Sequence, residues 1–234
     1  MGIENVLPVE VEEERRLVWT EVAILLGMVA LPVWAADLFA PAHFAGSLLE
    51  DSTLRLARDL PLCALALYMM ARAGRGWPHF GLGKNWDFVG MFAFFIGAVV
   101  VGLLSTWLTD LIFQAVTGTV QPVDLSDQLF TPRVVGEWLS IWPVLLVGAA
   151  AEELVFRGFA TARLYDVTGR KWIAVLLPAA IFGSVHFYQG VIPAIGIAVY
   201  GALFGLMFLE WRRLKALILA HFAFNVWAFA YYIQ

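Results

Sequence analysis

Charge is what this sequence has least of. It carries 15 Lys or Arg and 19 Asp or Glu, 15% of 234 residues, where a soluble domain carries about a quarter. A chain so short of charge cannot clothe a water-facing surface, which excludes an ordinary soluble domain. The formal net charge of −4 and the lack of a basic stripe leave nothing to neutralise a phosphate backbone, so no nucleic-acid partner is expected. Cysteine is nearly absent too. The single Cys63 lies in an apolar run, which excludes a disulfide framework and a Cys-based zinc site. The beginning of the chain also lacks a short apolar run ending in a cleavage site. Residues 1–16 instead hold Glu10, Glu12, Glu13, Glu14, Arg15 and Arg16, and Val6 stands where a myristoylation signal needs Ser or Thr. They read as a solvated, amphipathic cytoplasmic tail. Internal repeats and low-complexity linkers are missing as well.

What is there is apolar length. The chain is 61% hydrophobic with a mean hydropathy of +0.78. About 20 mostly apolar residues cross a bilayer, and seven segments qualify, approximately 17–39, 54–71, 88–108 (extensible to 115), 139–160, 172–188, 191–209 and 214–233. Pro61 and Pro178 interrupt the second and fifth. The expected fold is all-α, a polytopic transmembrane bundle of about seven spans. Residues 17–234 form one membrane domain whose catalytic core is about 139–233. The loop 113–138, with Pro122, Asp124, Asp127 and Pro132, is expected to carry an interfacial helix. Lys and Arg mark alternate connections: Arg15 and Arg16, then Arg72, Arg75 and Lys84, then Arg163, Arg170 and Lys171, then Arg212, Arg213 and Lys215. The positive-inside rule then predicts a multi-pass integral membrane protein with a cytoplasmic N-terminus and the C-terminus outside. Arg55 and Arg58 run against this pattern, because they open span two on its outer side.

Three polar clusters interrupt the apolar segments. The first is Gly148-Ala-Ala-Ala-Glu-Glu-Leu-Val-Phe-Arg-Gly158. One charge at the centre of a span costs about 2.5–3.5 kcal/mol on insertion scales, so two carboxylates and a guanidinium there call for compensation or function. On an α-helix Glu153 and Arg157 are four apart and pair, while Glu152 is turned about 100° away. The second cluster, Phe182-Gly-Ser-Val-His186, closes span five. The third, His221-Phe-Ala-Phe-Asn225, lies inside span seven with His221 and Asn225 on one face. A buried Glu near a His suits general-base activation of water, and a His–Asn pair offers donors to an oxyanion. The inventory is that of a peptide hydrolase. Glu21 and Asp110 lie near span ends and read as interface residues, as do Trp19, Trp172, Trp211, Tyr231 and Tyr232. His43 and His79 fall in loops and are assigned no role. Gly201-Ala-Leu-Phe-Gly205 has GxxxG spacing and reads as close helix packing.

The set Glu-Glu-x-x-x-Arg, Phe-x-x-x-His and His-x-x-x-Asn, in this order in separate apolar segments over about 148–229, resembles the CPBP family. Its members are CAAX proteases and bacteriocin-processing (Abi) proteins, related to the Ras-converting CAAX endopeptidase. The resemblance implies an intramembrane endopeptidase acting on a membrane-associated or prenylated-type peptide or protein. In it Glu152 activates water with help from His186, His221 and Asn225 line the oxyanion site, and Glu153 and Arg157 support them. Two Glu and two His are also a possible zinc set. No His-Glu-x-x-His helix is present, however, and Arg157 beside the carboxylates lessens the need for a cation, so a metal-independent glutamate mechanism with no cofactor is expected. Two other classes stay open: a non-proteolytic membrane scaffold or immunity protein, and a small transporter with a buried acid–base relay. The sequence leaves the oligomeric state open.

Overall fold

The computed structural model describes residues 9–39, 47–83, 87–119 and 134–232. Among these residues there are seven helical runs and no strand. They are α1 (Val9–Phe39), α2 (Leu48–Arg72), α3 (Phe88–Thr117), a long run from α4 (Val135–Glu152) through the π-helical segment Glu153–Thr161 into α5 (Ala162–Thr168), then α6 (Lys171–Ser184), α7 (Val191–Trp211) and α8 (Leu214–Tyr232). Each of the seven expected spans has its helix. Four stretches, Glu12–Ala35, Phe88–Thr117, Val135–Thr168 and Val191–Trp211, are long and apolar enough to cross a membrane. His43, and the residues Pro122, Asp124, Asp127 and Pro132 with the interfacial helix expected among them, lie outside the described residues.

The expected ends shift where charge is paired. Helix α1 starts at Val9, so the second half of the expected tail forms its first turns, where Glu13, Glu14, Arg15 and Arg16 are exposed. The fourth run passes the expected stop at 160 and continues to Thr168, where Gly169 in the left-handed conformation caps it, and Arg163 and Asp166 find partners along it. Arg163 Nη2 lies 3.9 Å from Glu21 Oε2 and its Nη1 donates to Asp166 Oδ2 at 3.3 Å. Glu21, expected as an interface residue, is thus partly buried and forms an ion pair with Arg163. Trp172 and Trp211 are exposed near helix ends, as an interface belt requires, while Trp19 packs partly into the core.

The π segment is the hub. All nine of its residues are buried, and α1, α2, α6, α7 and α8 all pack around it. Phe156, Phe159, Phe182, Phe204, Phe208, Leu214 and Leu217 form the surrounding core with Leu25 and Met70. A second cluster, Ile141, Val144 and Leu145, is covered by Leu56, Trp138, Phe222 and Val226 and joins α2, α4 and α8. Outward, α3 exposes Phe88, Phe92, Ile96, Val100, Leu104, Trp107 and Leu111. This stripe, at spacings of three and four, is the exposed apolar face that a membrane span presents.

Helices α6 and α7 meet through small residues, as membrane packing favours. A Cβ on Gly183 would come within 2.5 Å of the Ala194 carbonyl oxygen and 2.6 Å of Ala198 Cβ. Gly201 and Gly205 face Ala179 and Val175 of α6, so the GxxxG pair serves packing within the chain. Helix α6 has 14 residues, about 21 Å at 1.5 Å each, too short for a core about 30 Å thick. A 3₁₀ turn, Phe187–Gln189, and Gly190 at φ 104 return the chain to α7.

The three basic connections meet at one end of the bundle. Arg212 Nη1 donates to the His79 carbonyl at 2.7 Å, Lys215 Nζ to the Gly83 carbonyl at 2.8 Å, and Arg213 Nη2 to Asp87 Oδ2 at 3.2 Å. His79, given no role by the sequence, places Nε2 3.1 Å from Asp166 Oδ2. Burial holds its pKa below the usual histidine value, and the charges of Arg212 and Arg75 add to this against the pull of Asp166.

Candidate active site

Glu152 ends α4 and Glu153 begins the π segment. In that segment the backbone closes five residues back rather than four, and the Thr161 hydroxyl follows suit, donating to the Phe156 carbonyl at 2.8 Å. More residues per turn means a smaller angle between neighbours, and such departures from α geometry recur at functional sites. Glu152 turns to a more open side than Glu153, and the His221 ring lies between the two carboxylates with one nitrogen towards each. His221 Nδ1 lies 2.9 Å from Glu153 Oε1 and its Nε2 lies 3.5 Å from Glu152 Oε2.

Glu153 is fully buried and Arg157 is 2% exposed at its side chain. Arg157 Nη1 donates to Glu153 Oε1 at 2.8 Å, as the four-residue spacing predicts. The guanidinium also lies over the Phe182 ring at 4.5 Å and the Phe204 ring at 5.7 Å, contacts that favour a desolvated cation. One oxygen of Glu153 thus holds both Arg157 and His221. Glu152 is the more open carboxylate, with a quarter of its side chain exposed.

His186 follows the end of α6. Its Nδ1–H donates to the Phe182 carbonyl at 2.7 Å, which leaves Nε2 as the nitrogen free to accept, a tautomer fixed by the backbone. Its ring stands edge-on to Phe182 at 5.0 Å and beside Tyr188 at 6.0 Å. Glu152, His221 and Arg58 all lie within electrostatic reach of this imidazole. Phe182 also meets Phe156 at 5.1 Å and His221 at 6.1 Å, so one ring of α6 joins the π segment and α8. Asn225 is half-buried one turn beyond His221 on α8.

The sequence reading missed several neighbours. Asp59 is 3% exposed; it accepts from Arg58 Nε at 2.7 Å and Nη2 at 3.3 Å. It lies against Gly148, one turn before Glu152, where a Cβ would come within 3.3 Å of Asp59 Oδ2. Asp51 holds Arg55 in the same way, at 2.8 Å. The two arginines that disturbed the charge pattern are therefore neutralised by buried aspartates. The signal was in the sequence as Asp51-x-x-x-Arg55 and Arg58-Asp59. Tyr200, 5% exposed on α7 with its ring 5.7 Å from His221, carried no such signal, because a tyrosine in an apolar run reads as packing.

Among the described residues, no three His, Cys, Asp or Glu side chains converge at metal-ligand spacing. Chemically, the arrangement sets a partly open carboxylate against one histidine, His221, which a buried ion pair fixes, with a second imidazole, His186, within electrostatic reach. No curated protein and no solved structure matches the chain significantly. Residues 134–227, which carry all six polar residues assembled here, match the model of the Rce1-like family of type II CAAX prenyl endopeptidases, and it is to that family that this part of the chain is similar.

Proposed function

We propose that this protein is an intramembrane endopeptidase of CAAX-protease type. The observation that carries the reading is the convergence of Glu153, hydrogen-bonded to His221 at 2.9 Å, and Glu152, 3.5 Å from the other nitrogen of the same ring, with His186 within electrostatic reach at the end of a helix too short to cross. Glu152 is the general base that takes a proton from water. His186, with Nδ1–H committed to the backbone, orients that water through Nε2. With both ring nitrogens protonated, His221 donates to Glu153 and presents Nε2–H beside Glu152, where with Asn225 it would meet the oxyanion of the tetrahedral intermediate. Arg157 and Glu153 hold His221 in place.

The family match supports a peptide substrate in or at the membrane, and the family's printed name supports a prenylated one. The gathering of the basic connections at one end supports a cytoplasmic N-terminus. The test is cleavage of a peptide library by detergent-purified protein, with wild type compared against Glu152→Ala and His186→Ala. A protease loses cleavage in both variants while keeping its fold. A scaffold cleaves nothing and keeps its partner, and a transporter loses flux without any peptide being cut.

A further inference from the structure

Tyr200 is a buried titratable group that the mechanism above does not use. Its ring stands edge-on to His221 at 5.7 Å and 73° and packs against Phe204 at 4.2 Å and Phe224 at 5.5 Å. These contacts are apolar and a phenylalanine would make them equally well. The hydroxyl is what distinguishes this side chain, and it is buried with no hydrogen-bond partner. A buried donor is expensive to leave unmade, and more so where a bilayer offers no water in exchange.

Two further buried polar atoms are unpaired in the same neighbourhood, Glu153 Oε2 and Arg157 Nη2. Both Glu153 and Arg157 lie within electrostatic reach of the phenol, as does Glu152. The chemistry is complementary. Glu153 spends Oε1 on Arg157 and His221, so its other oxygen wants a donor, and a phenol is one. The α7 backbone that carries Tyr200 is itself pressed against the guanidinium, since a Cβ on the adjacent Gly201 would come within 3.4 Å of Arg157 Nη2 and 3.1 Å of Phe182 Cδ1. Helix and ring hold the hydroxyl in the neighbourhood of Glu153 Oε2, although in this structure the two atoms make no hydrogen bond, so the link requires the carboxylate or the phenol to turn towards the other.

We propose that Tyr200 is a positioning residue of this site: its hydroxyl is the donor for Glu153 Oε2, and through Glu153 it fixes the ring of His221. With Oε2 tied, the carboxylate plane cannot rotate, Oε1 stays in line with His221 Nδ1, and Nε2 stays directed at Glu152. This deepens the endopeptidase reading and rests on it for its catalytic consequence, though the structural link does not.

The test is Tyr200→Phe, which removes the hydroxyl and keeps the packing. In histidine-labelled protein in detergent, the ring-nitrogen NMR signals of His221, assigned with a His221 variant, should shift. On a cleaved peptide kcat should fall about ten- to a hundredfold, the range for partners that orient catalytic ligands. KM should stay unchanged, because a group acting on the transition state alone leaves uniform binding alone, and the thermal melt should not drop. If the wild type cleaves no peptide, the endopeptidase reading fails, and the His221 signals alone decide the role of Tyr200. His221 signals that coincide with those of wild type overturn the proposal, as does a lowered melt with unchanged kcat.

Discussion

Replacing Arg157 by alanine should destabilise the bundle more than any change at Glu152. The variant leaves Glu153, fully buried, without its guanidinium partner and with His221 and the Tyr200 hydroxyl left near its charge. Breaking a buried pair by removing one partner costs about 3–5 kcal/mol. The guanidinium also covers two aromatic rings, a contact worth about 2 kcal/mol when desolvated, which places the loss towards the upper end. For a chain of this size 1 kcal/mol moves the melt by about 2–4 °C, so the expected fall is about 6–20 °C. Glu152→Ala removes a partly exposed carboxylate and its 3.5 Å contact with His221. Pairs of that kind are worth about 0–1 kcal/mol, and the melt should move by less than about 4 °C. Tryptophan-fluorescence melts in detergent read both. A second comparison isolates the cause. Glu153→Gln with Arg157→Met removes both charges at similar volume, leaves no buried ion unpaired, and should recover most of the loss. An Arg157→Ala protein that melts with wild type, or a double variant no better than the single one, would refute the reasoning.

Two other outcomes follow from the packing and from the basic end of the bundle. Gly183→Ala should cost hydrolysis and melt together, because its Cβ meets the backbone and Cβ of α7 at 2.5–2.6 Å and must push α6, with His186 at its end, away from the site. Gly205→Ala, which meets the Val175 side chain at 3.3 Å, should be tolerated in both assays. Burial lowers the pKa of His79 in the folded state, so the unfolded chain binds the extra proton first. Stability is then complete above the ordinary histidine value of about 6.5 and falls as pH drops below it. Melts between pH 7.5 and 5.5 should show that slope in wild type and a shallower one in His79→Gln.

The helices were legible because a bilayer imposes one length on apolar segments, and all seven segments were found in order. Their ends were not, for one physical reason. An apolar run stops at a charge, whereas a helix runs on to its cap. The fourth run goes on through Arg163 and Asp166, which are partnered by Glu21 and His79, and ends at Thr168 because Gly169 takes the left-handed capping conformation. The site residues were legible as three spaced motifs, and the Glu153–Arg157 pair as a four-residue interval. The bridge from His221 to both carboxylates was not legible, because it joins α8 to the fourth run and no spacing within one segment reveals which face of another it meets. The Arg58–Asp59 pair and Tyr200 come to the site from other helices, and no interval within one segment reveals a contact between segments.

The account turns on Glu152 as the group that takes a proton from water. Its most direct test is single-turnover hydrolysis by Glu152→Gln in proteoliposomes, on a peptide that wild type cleaves, with the melt measured on the same preparation. The amide keeps the shape of the side chain but cannot accept that proton. The expected result is hydrolysis below a few per cent of wild type in a protein that inserts and melts normally. Cleavage retained well above that level would contradict the general-base role of Glu152.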